Sequence, residues 1–183
     1  ERFKNESRIT FLSNKSSVGT YCIRNFVLNN CDTKYFCVAD SDDYQLPYRF
    51  EIQLENLKKN DGIVSNWIRF NENGYSIPRI DLRFSGIATN SFLHKASIRE
   101  KNGFYLPLKF GADSEYLERS RLNYNIIRDN KIVIFGFSGN TNLTSNEISG
   151  EVQASIERQS FTNQFSKWQK NNKNLYVSLG SIP

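Results

Sequence analysis

The acidic run at residues 40–43 is the part of the chain best suited to chemistry. Asp40, Asp42 and Asp43 directly follow a short apolar stretch at 35–38, which is typical of a buried strand that ends in a charged loop. Open α/β sheets bind ligands outside the C-terminal ends of their strands. Asp40 and Asp42 suit a shared divalent cation, since Mg²⁺ takes one or two protein carboxylates and completes its shell with phosphates and water. The spacing therefore predicts a site for a metal-bound diphosphate.

Two other interpretations of this loop start from the same residues. Asp42 or Asp43 is suited to cap the helix that follows, although a cap needs one carboxylate and the loop has three. A calcium loop that begins at Asp40 is excluded, because Gln45 stands where such a loop requires glycine.

Hydrophobic periodicity predicts alternating strands and helices on both sides of the loop. The predicted strands are 8–14, 34–39, 62–70, 79–84 and 131–137. Helices are predicted from Val18 to about residue 29, after Pro47 and at 113–124, with a helical tail within 144–183. This order predicts an α/β domain that spans residues 1–183, with a mostly parallel sheet flanked by helices.

The bulk composition narrows the classes of function. The net charge of +5 suits a phosphate-bearing ligand, the surface of an anionic membrane or simply a solvated surface. The basic residues are dispersed, which argues against a nucleic-acid partner. Three cysteines without CxxC spacing favour reduced thiols and a cytoplasmic location.

Three segments carry a resemblance to a known family. They are NKSSVGTYCIRN at 14–25, KYFCVADSDDYQLPYRFEIQ at 34–53 and GADSEYLER at 111–119. In this order they resemble glycosyltransferase family 2, the inverting nucleotide-sugar transferases of GT-A fold, and the tail is similar to that of bacterial surface-polysaccharide members. The resemblance implies a GT-A-like, Rossmann-like sheet, a nucleoside-diphosphate sugar donor, a saccharide acceptor and a divalent metal, Mn²⁺ or Mg²⁺. It also implies that the protein is located in the cytoplasm, with peripheral association at the inner face of the cell membrane.

The resemblance assigns a role to each matched residue. Asp113 becomes the general base that takes a proton from the acceptor hydroxyl, which then attacks the sugar with inversion. The donor-binding residues are Arg24, Asn25, Asp40 and Asp43, the metal ligands are Asp40 and Asp42, and Glu115 belongs to the acceptor side.

Several of these positions also have plainer interpretations. Asp113 stands where a helix N-cap is expected, and Arg24 is suited to a helix-surface ion pair. Trp67 suits stacking on an acceptor sugar but also core packing, and His94, the single histidine, is interpreted as a partly buried residue near the acceptor. The residues Pro47, Arg49 and Gln53 are expected to fix the helix after the acidic loop rather than contact substrate.

The chain departs from the family pattern in two ways. Ala112 stands where the third segment usually has Glu, and the first strand–helix units of the family are not found, which predicts the C-terminal larger part of the fold. A non-catalytic glycan- or protein-binding module is therefore an alternative function. A nucleotidyltransferase is another, because it also uses paired carboxylates.

Overall fold

The computed structural model of the protein describes residues 3–79, 82–108, 111–138 and 156–179, with side chains from residue 159 in the last range. The helices are α1 Thr20–Asn29, α2 Arg49–Leu57, α3 Arg99–Asn102, α4 Ala112–Asn123 and α5 Ile156–Asn171. The strands are β1 Tyr35–Phe36, β2 Asp43–Gln45, β3 Gly62–Asn71, β4 Ser85–Ile87, β5 Leu93–Lys95 and β6 Ile126–Ser138. Short 3₁₀ turns follow β4 at Thr89–Ser91 and β5 at Ala96–Ile98.

The strands form one mixed sheet in the order β1-β5-β3-β6-β2, with β4 also paired to β3. Only the β3–β6 pair is parallel among the described strands, and the other pairs are antiparallel. The α/β class with flanking helices is confirmed, while a mixed sheet replaces the predicted mostly parallel one.

The connections explain the strand directions. The chain leaves β3 through a turn at Gly74, which has φ of 78°, and returns as β4 without an intervening helix in the described residues. Such a return gives antiparallel strands, whereas parallel neighbours need a crossover. The connection that ends in β6 contains α3 and α4, and β6 accordingly lies parallel to β3.

The predicted helices α1, α2 and α4 are present, but several strand predictions are wrong. Residues 8–14 form no strand, and Phe11 and Leu12 there are 71% and 62% exposed. The strand predicted at 34–39 is limited to Tyr35–Phe36. The described residues of 79–84 form no strand, and 80–81 lie outside the described residues. The helical tail is confirmed for α5, while its part before residue 156 lies outside them.

The larger core cluster lies between the sheet and the helices α1 and α4. It includes Tyr21 and Leu28 from α1 and Tyr116 and Leu117 from α4. Apolar side chains at one face of each helix are therefore buried against the same aromatic centre. No helix among the described residues is long and apolar enough to cross a membrane.

Candidate functional site

Asp40 lies four residues after β1 and is held by two side chains. The Arg24 guanidinium of α1 donates to Asp40 Oδ1 at 2.7 Å, and the Asn90 amide donates to Asp40 Oδ2 at 3.2 Å. The Arg24 side chain is only 10% exposed, so its charge is directed at this carboxylate rather than spread into water. Arg24 thus braces the acidic loop through an ion pair.

Asp43 joins the same cluster from β2. Its Oδ2 accepts a hydrogen bond of 2.5 Å from the same Asn90 amide nitrogen that reaches Asp40. Burial raises the pKa of Asp43 to about 6; the Asn90 hydrogen bond opposes this rise, and the neighbouring Asp42 and Asp40 add to it. The site therefore concentrates negative charge that a bound cation would stabilise.

Asp42 is placed differently from its two neighbours. Its side chain is exposed and makes no hydrogen bond to another described residue. Neither Asp42 nor Asp43 caps α2, because that helix begins after Tyr48 and has no side-chain cap. Within the described residues, no group of three or more His, Cys, Asp or Glu side chains is arranged to hold a metal ion.

Asp113 lies in the first turn of α4 and is half-buried. Its Oδ1 accepts hydrogen bonds from the Tyr21 hydroxyl at 3.0 Å and the Ser114 backbone N–H at 2.9 Å. Its Oδ2 accepts one from the Thr89 hydroxyl at 2.6 Å. The predicted N-cap role is wrong, since Gly111 is the cap residue and no side chain caps the helix.

Asp113 is linked to the Asp40–Asp43 cluster through α1 and through the Thr89–Ser91 turn. Arg24 lies over the Tyr21 ring at 5.3 Å and interacts electrostatically with both Asp40 and Asp113. Burial, reinforced by the Asp113 charge, raises the pKa of Tyr21 well above its usual value, so the phenol stays a hydrogen-bond donor at neutral pH. A closed ring of contacts and chain segments results, which runs through Asp40, Arg24, Tyr21, Asp113, Thr89 and Asn90.

Buried side chains of α2 hold the Thr89–Ser91 turn in place. Arg49 donates to the Asn90 carbonyl at 3.2 Å and to the Val38 carbonyl at 3.3 Å. Gln53 donates to the Ser91 carbonyl at 2.8 Å. As predicted, Arg49 and Gln53 fix the helix after the acidic loop, since these bonds tie α2 to Val38 and to the Thr89–Ser91 turn.

Two residues predicted to bind ligands have internal partners instead. Asn25 is 1% exposed, and its amide bonds the backbone N–H and carbonyl of Tyr105 at 2.8 Å each. Glu115 is fully buried in an ion pair with Arg119. Donor binding by Asn25 and acceptor binding by Glu115 are wrong for this arrangement, because all of their polar atoms are enclosed and used.

His94 is fully enclosed, so the prediction of a partly buried histidine is wrong, and its imidazole is not exposed to an acceptor. It packs against the rings of Phe36, Phe92 and Tyr116 at centroid distances of 5.4, 4.7 and 5.8 Å. Its Nδ1 bonds the Lys95 carbonyl at 2.8 Å, while Nε2 is buried without a partner among the described residues. Burial lowers the pKa of His94 to about 4, so the folded protein keeps a neutral imidazole.

The pH dependence of stability should report this buried imidazole. The unfolded chain protonates His94 near pH 6.5 and the folded chain only near pH 4, so stability falls as the pH drops through this window. We expect His94 to lower the free energy of unfolding by about 2 kcal/mol between pH 7.5 and pH 5. Urea unfolding of the wild type and of His94→Leu at both pH values measures it. The raised pKa of Asp43 has the opposite effect on stability, but it acts in both proteins, so the difference between wild type and variant isolates His94. An equal change in the free energy of unfolding between the two pH values in both proteins would contradict the assignment.

Trp67 lies on β3 beside the carboxylate cluster. A Cβ atom added at Gly136 would lie 2.7 Å from the Trp67 ring and 3.3 Å from Asp43 Oδ1, so the ring and this carboxylate both lie close to the same position. The Trp67 side chain is half-buried and packs against the apolar cluster of Ala88, Val133 and Ile134, as the core interpretation predicted. Its contact with an acceptor stays a prediction.

The sequence interpretation missed Tyr21, Thr89 and Asn90. Tyr21 falls inside the first family-like segment, but only the fold brings its hydroxyl to Asp113. One signal was available for the other two. The polar run 89–91 stands between apolar residues 87–88 and 92–93, and polar side chains in such a setting are buried and need partners.

Comparison with known families and structures identifies the class of protein. The model of the family described as Glycosyl transferase family 2 matches residues 1–120, which include the carboxylate cluster and Asp113. The chain belongs to glycosyl transferase family 2. A relative, an uncharacterized glycosyltransferase of Methanocaldococcus jannaschii, is 35% identical over 72 residues, which are 38% of this chain and 25% of that protein.

Solved structures show the fold that accompanies this family 2 sequence. S. aureus TarS 1–349 in complex with UDP-GlcNAc has a TM-score of 0.67 at 14% identity, over 94% of this chain and 53% of that one. TarS 1–349 alone has a TM-score of 0.58 at 17% identity, over 98% and 61%. The chain therefore has a GT-A-like α/β fold and spans less than two thirds of the length of these proteins.

Proposed function

We propose that this chain carries the catalytic site of an inverting glycosyltransferase, which moves a sugar from a nucleoside-diphosphate donor to a saccharide hydroxyl. The observation that carries the proposal is the ring of contacts that joins the Asp40–Asp43 cluster to Asp113. A transferase of this kind needs one group at the leaving diphosphate and another at the attacking hydroxyl. The ring supplies carboxylates for both and fixes their separation.

The donor set fits a cation that is shared with substrate. Asp42 is exposed and free of hydrogen bonds to described residues, and Asp40 lies two residues away. Two carboxylates suffice for such an ion, because Mg²⁺ takes one or two protein carboxylates and keeps water and substrate phosphates as its other ligands. Asp42 and Asp40 would hold the ion, which would neutralise the charge that develops on the leaving diphosphate.

The remaining chemistry belongs to side chains of the chain itself. Arg24 holds Asp40 in place, and Asp43 and Asn90 complete the wall of the donor site. Asp113 takes the proton of the acceptor hydroxyl, which attacks the anomeric carbon on the face opposite the departing diphosphate. Because TarS was solved with UDP-GlcNAc, a uridine nucleotide is the first donor to test.

Further parts of the proposal concern the cellular role. We infer that the transfer to a saccharide acceptor serves surface-polysaccharide biosynthesis in the cytoplasm, with peripheral association at the inner face of the cell membrane. A non-catalytic glycan-binding module remains the alternative, since fully buried Ala112 provides no carboxylate beside Asp113. Glycan binding that needs neither metal nor nucleotide would favour that alternative.

Thermal unfolding with UDP, GDP and CDP, each with and without Mn²⁺, tests the donor site. A nucleotide at 100 times its Kd should stabilise the protein by about 2.7 kcal/mol and raise Tm by several degrees. We expect the shift to require Mn²⁺ and to disappear in Asp42→Ala. Asp32→Ala is the matched control, because Asp32 is an exposed carboxylate outside the cluster. A shift that survives in Asp42→Ala would remove Asp42 from the metal site, and no shift with any nucleotide would contradict donor binding.

A further inference from the structure

Both oxygens of Asp113 are engaged, but unequally. Oδ1 accepts two hydrogen bonds, from Tyr21 and from the Ser114 N–H, whereas Oδ2 accepts a single one, from Thr89 at 2.6 Å. A carboxylate oxygen has two acceptor positions. Among the described contacts, Oδ1 is therefore filled, and Oδ2 keeps one position for another donor.

The residue next to Thr89 organises the other half of the site. Asn90 is 6% exposed, and its amide nitrogen reaches both Asp40 Oδ2 and Asp43 Oδ2. Its side-chain oxygen is buried and has no partner among the described residues. An unpaired buried acceptor costs free energy. The bonds from the amide nitrogen to the two carboxylates therefore set the orientation of this amide, although they leave its oxygen without a hydrogen bond among the described residues.

From this geometry we propose that Thr89 and Asn90 are positioning residues that set the general base and the donor carboxylates relative to each other. Thr89 directs Asp113 so that Oδ2 is the oxygen that receives the acceptor proton. Asn90 holds Asp40 and Asp43 together as a pair. Thr89 and Asn90 are adjacent in one turn, and Arg49 and Gln53 hold that turn through the carbonyls of Asn90 and Ser91. This inference rests on the glycosyl transfer proposed above.

The roles predict different kinetic effects for the two residues. Thr89→Val keeps the shape of the side chain but removes the donor, so kcat should fall about 10- to 100-fold with the donor Kd unchanged. Thr89→Ser keeps the hydroxyl and should restore most of the activity. Combining Thr89→Val with Asp113→Asn should add no loss to that of Asp113→Asn alone, because Thr89 acts through Asp113.

Asn90→Ala should instead weaken binding of a uridine nucleotide with Mn²⁺ by about tenfold, measured by calorimetry without turnover. Asn66→Ala is the matched control. Asn66 is also a buried asparagine with hydrogen bonds from both ends of its amide, but its partners are Asn130 and Arg128 rather than carboxylates. Its removal should leave nucleotide affinity within twofold of the wild type.

The outcomes distinguish failure of these positioning roles from failure of the proposed transferase function. Normal kcat in Thr89→Val, an additive loss in the double variant, or equal nucleotide affinities in Asn90→Ala and the wild type would overturn the positioning roles while leaving the transferase intact. A full-length wild-type protein that neither binds a nucleotide nor transfers sugar would overturn the proposed function, and the inference with it.

Discussion

Replacing Arg119 by Met should lower the free energy of unfolding by about 3–5 kcal/mol, because it leaves the Glu115 carboxylate buried without its cation. Both side chains are fully buried and are joined by two hydrogen bonds, of 2.7 and 2.9 Å. Arg119 also donates to the backbone carbonyls of Asn102, Phe104 and Leu175. One guanidinium thus fastens α4 to the loop after α3 and to the C-terminal segment.

Chemical denaturation of Arg119→Met beside Arg121→Met measures this effect. Arg121 lies on the same helix and pairs with Glu118 at the surface, so its loss should cost less than about 1 kcal/mol. Adding Glu115→Gln to Arg119→Met should recover part of the lost stability, because the uncompensated charge is then removed. Similar midpoints for the Arg119 and Arg121 variants would show that the buried pair contributes nothing beyond a surface pair.

Replacing Asp113 by Asn should lower kcat by about 10²- to 10⁴-fold, the usual contribution of a general base. The amide has nearly the same shape as the carboxylate, and its oxygen still accepts a hydrogen bond from Tyr21 or Thr89, but it cannot take a proton from an acceptor. Donor affinity should be unchanged, since Asp113 makes no hydrogen bond to the Asp40–Asp43 cluster.

Sugar transfer and nucleotide binding are measured in parallel for Asp113→Asn and for Glu118→Gln, an exposed position on the same helix. The control should behave as the wild type in both assays. Full transfer by Asp113→Asn would remove Asp113 as the base. Loss of donor binding together with transfer would place it on the donor side instead.

The sequence was most informative where local pattern alone determines structure. The helices α1, α2 and α4 follow a 3.6-residue repeat, and each begins and ends close to its predicted place. Strands of two or three residues, such as β2 and β4, give no such repeat, because their existence depends on distant partners. The segment 8–14 shows the opposite failure: a strand-like pattern with no strand to pair with among the described residues.

The sequence likewise predicted some residues of the candidate site and not others. Its carboxylates were predicted because acidic residues at a strand end and a helix start are visible in the chain and match a family. Their partners Tyr21, Thr89 and Asn90 are ordinary polar residues, and only the packing of α1 and the Thr89–Ser91 turn makes them part of the site. Glu115 was misassigned because its buried partner four residues later is indistinguishable in sequence from a helix-surface pair.

The anchoring of α4 involves residues beyond the part of the chain that matches the family model. The shared family sequence ends at residue 120, inside α4, yet Leu175 and Gln169 contact Arg119 and Glu115 of that helix directly. The part of the chain that matches the family model is therefore held in place by contacts from residues outside that part. A change at Gln169 or Leu175 would therefore reach the first turn of α4 through the buried Glu115–Arg119 ion pair, two residues from Asp113, although it lies outside the part of the chain that matches the family model.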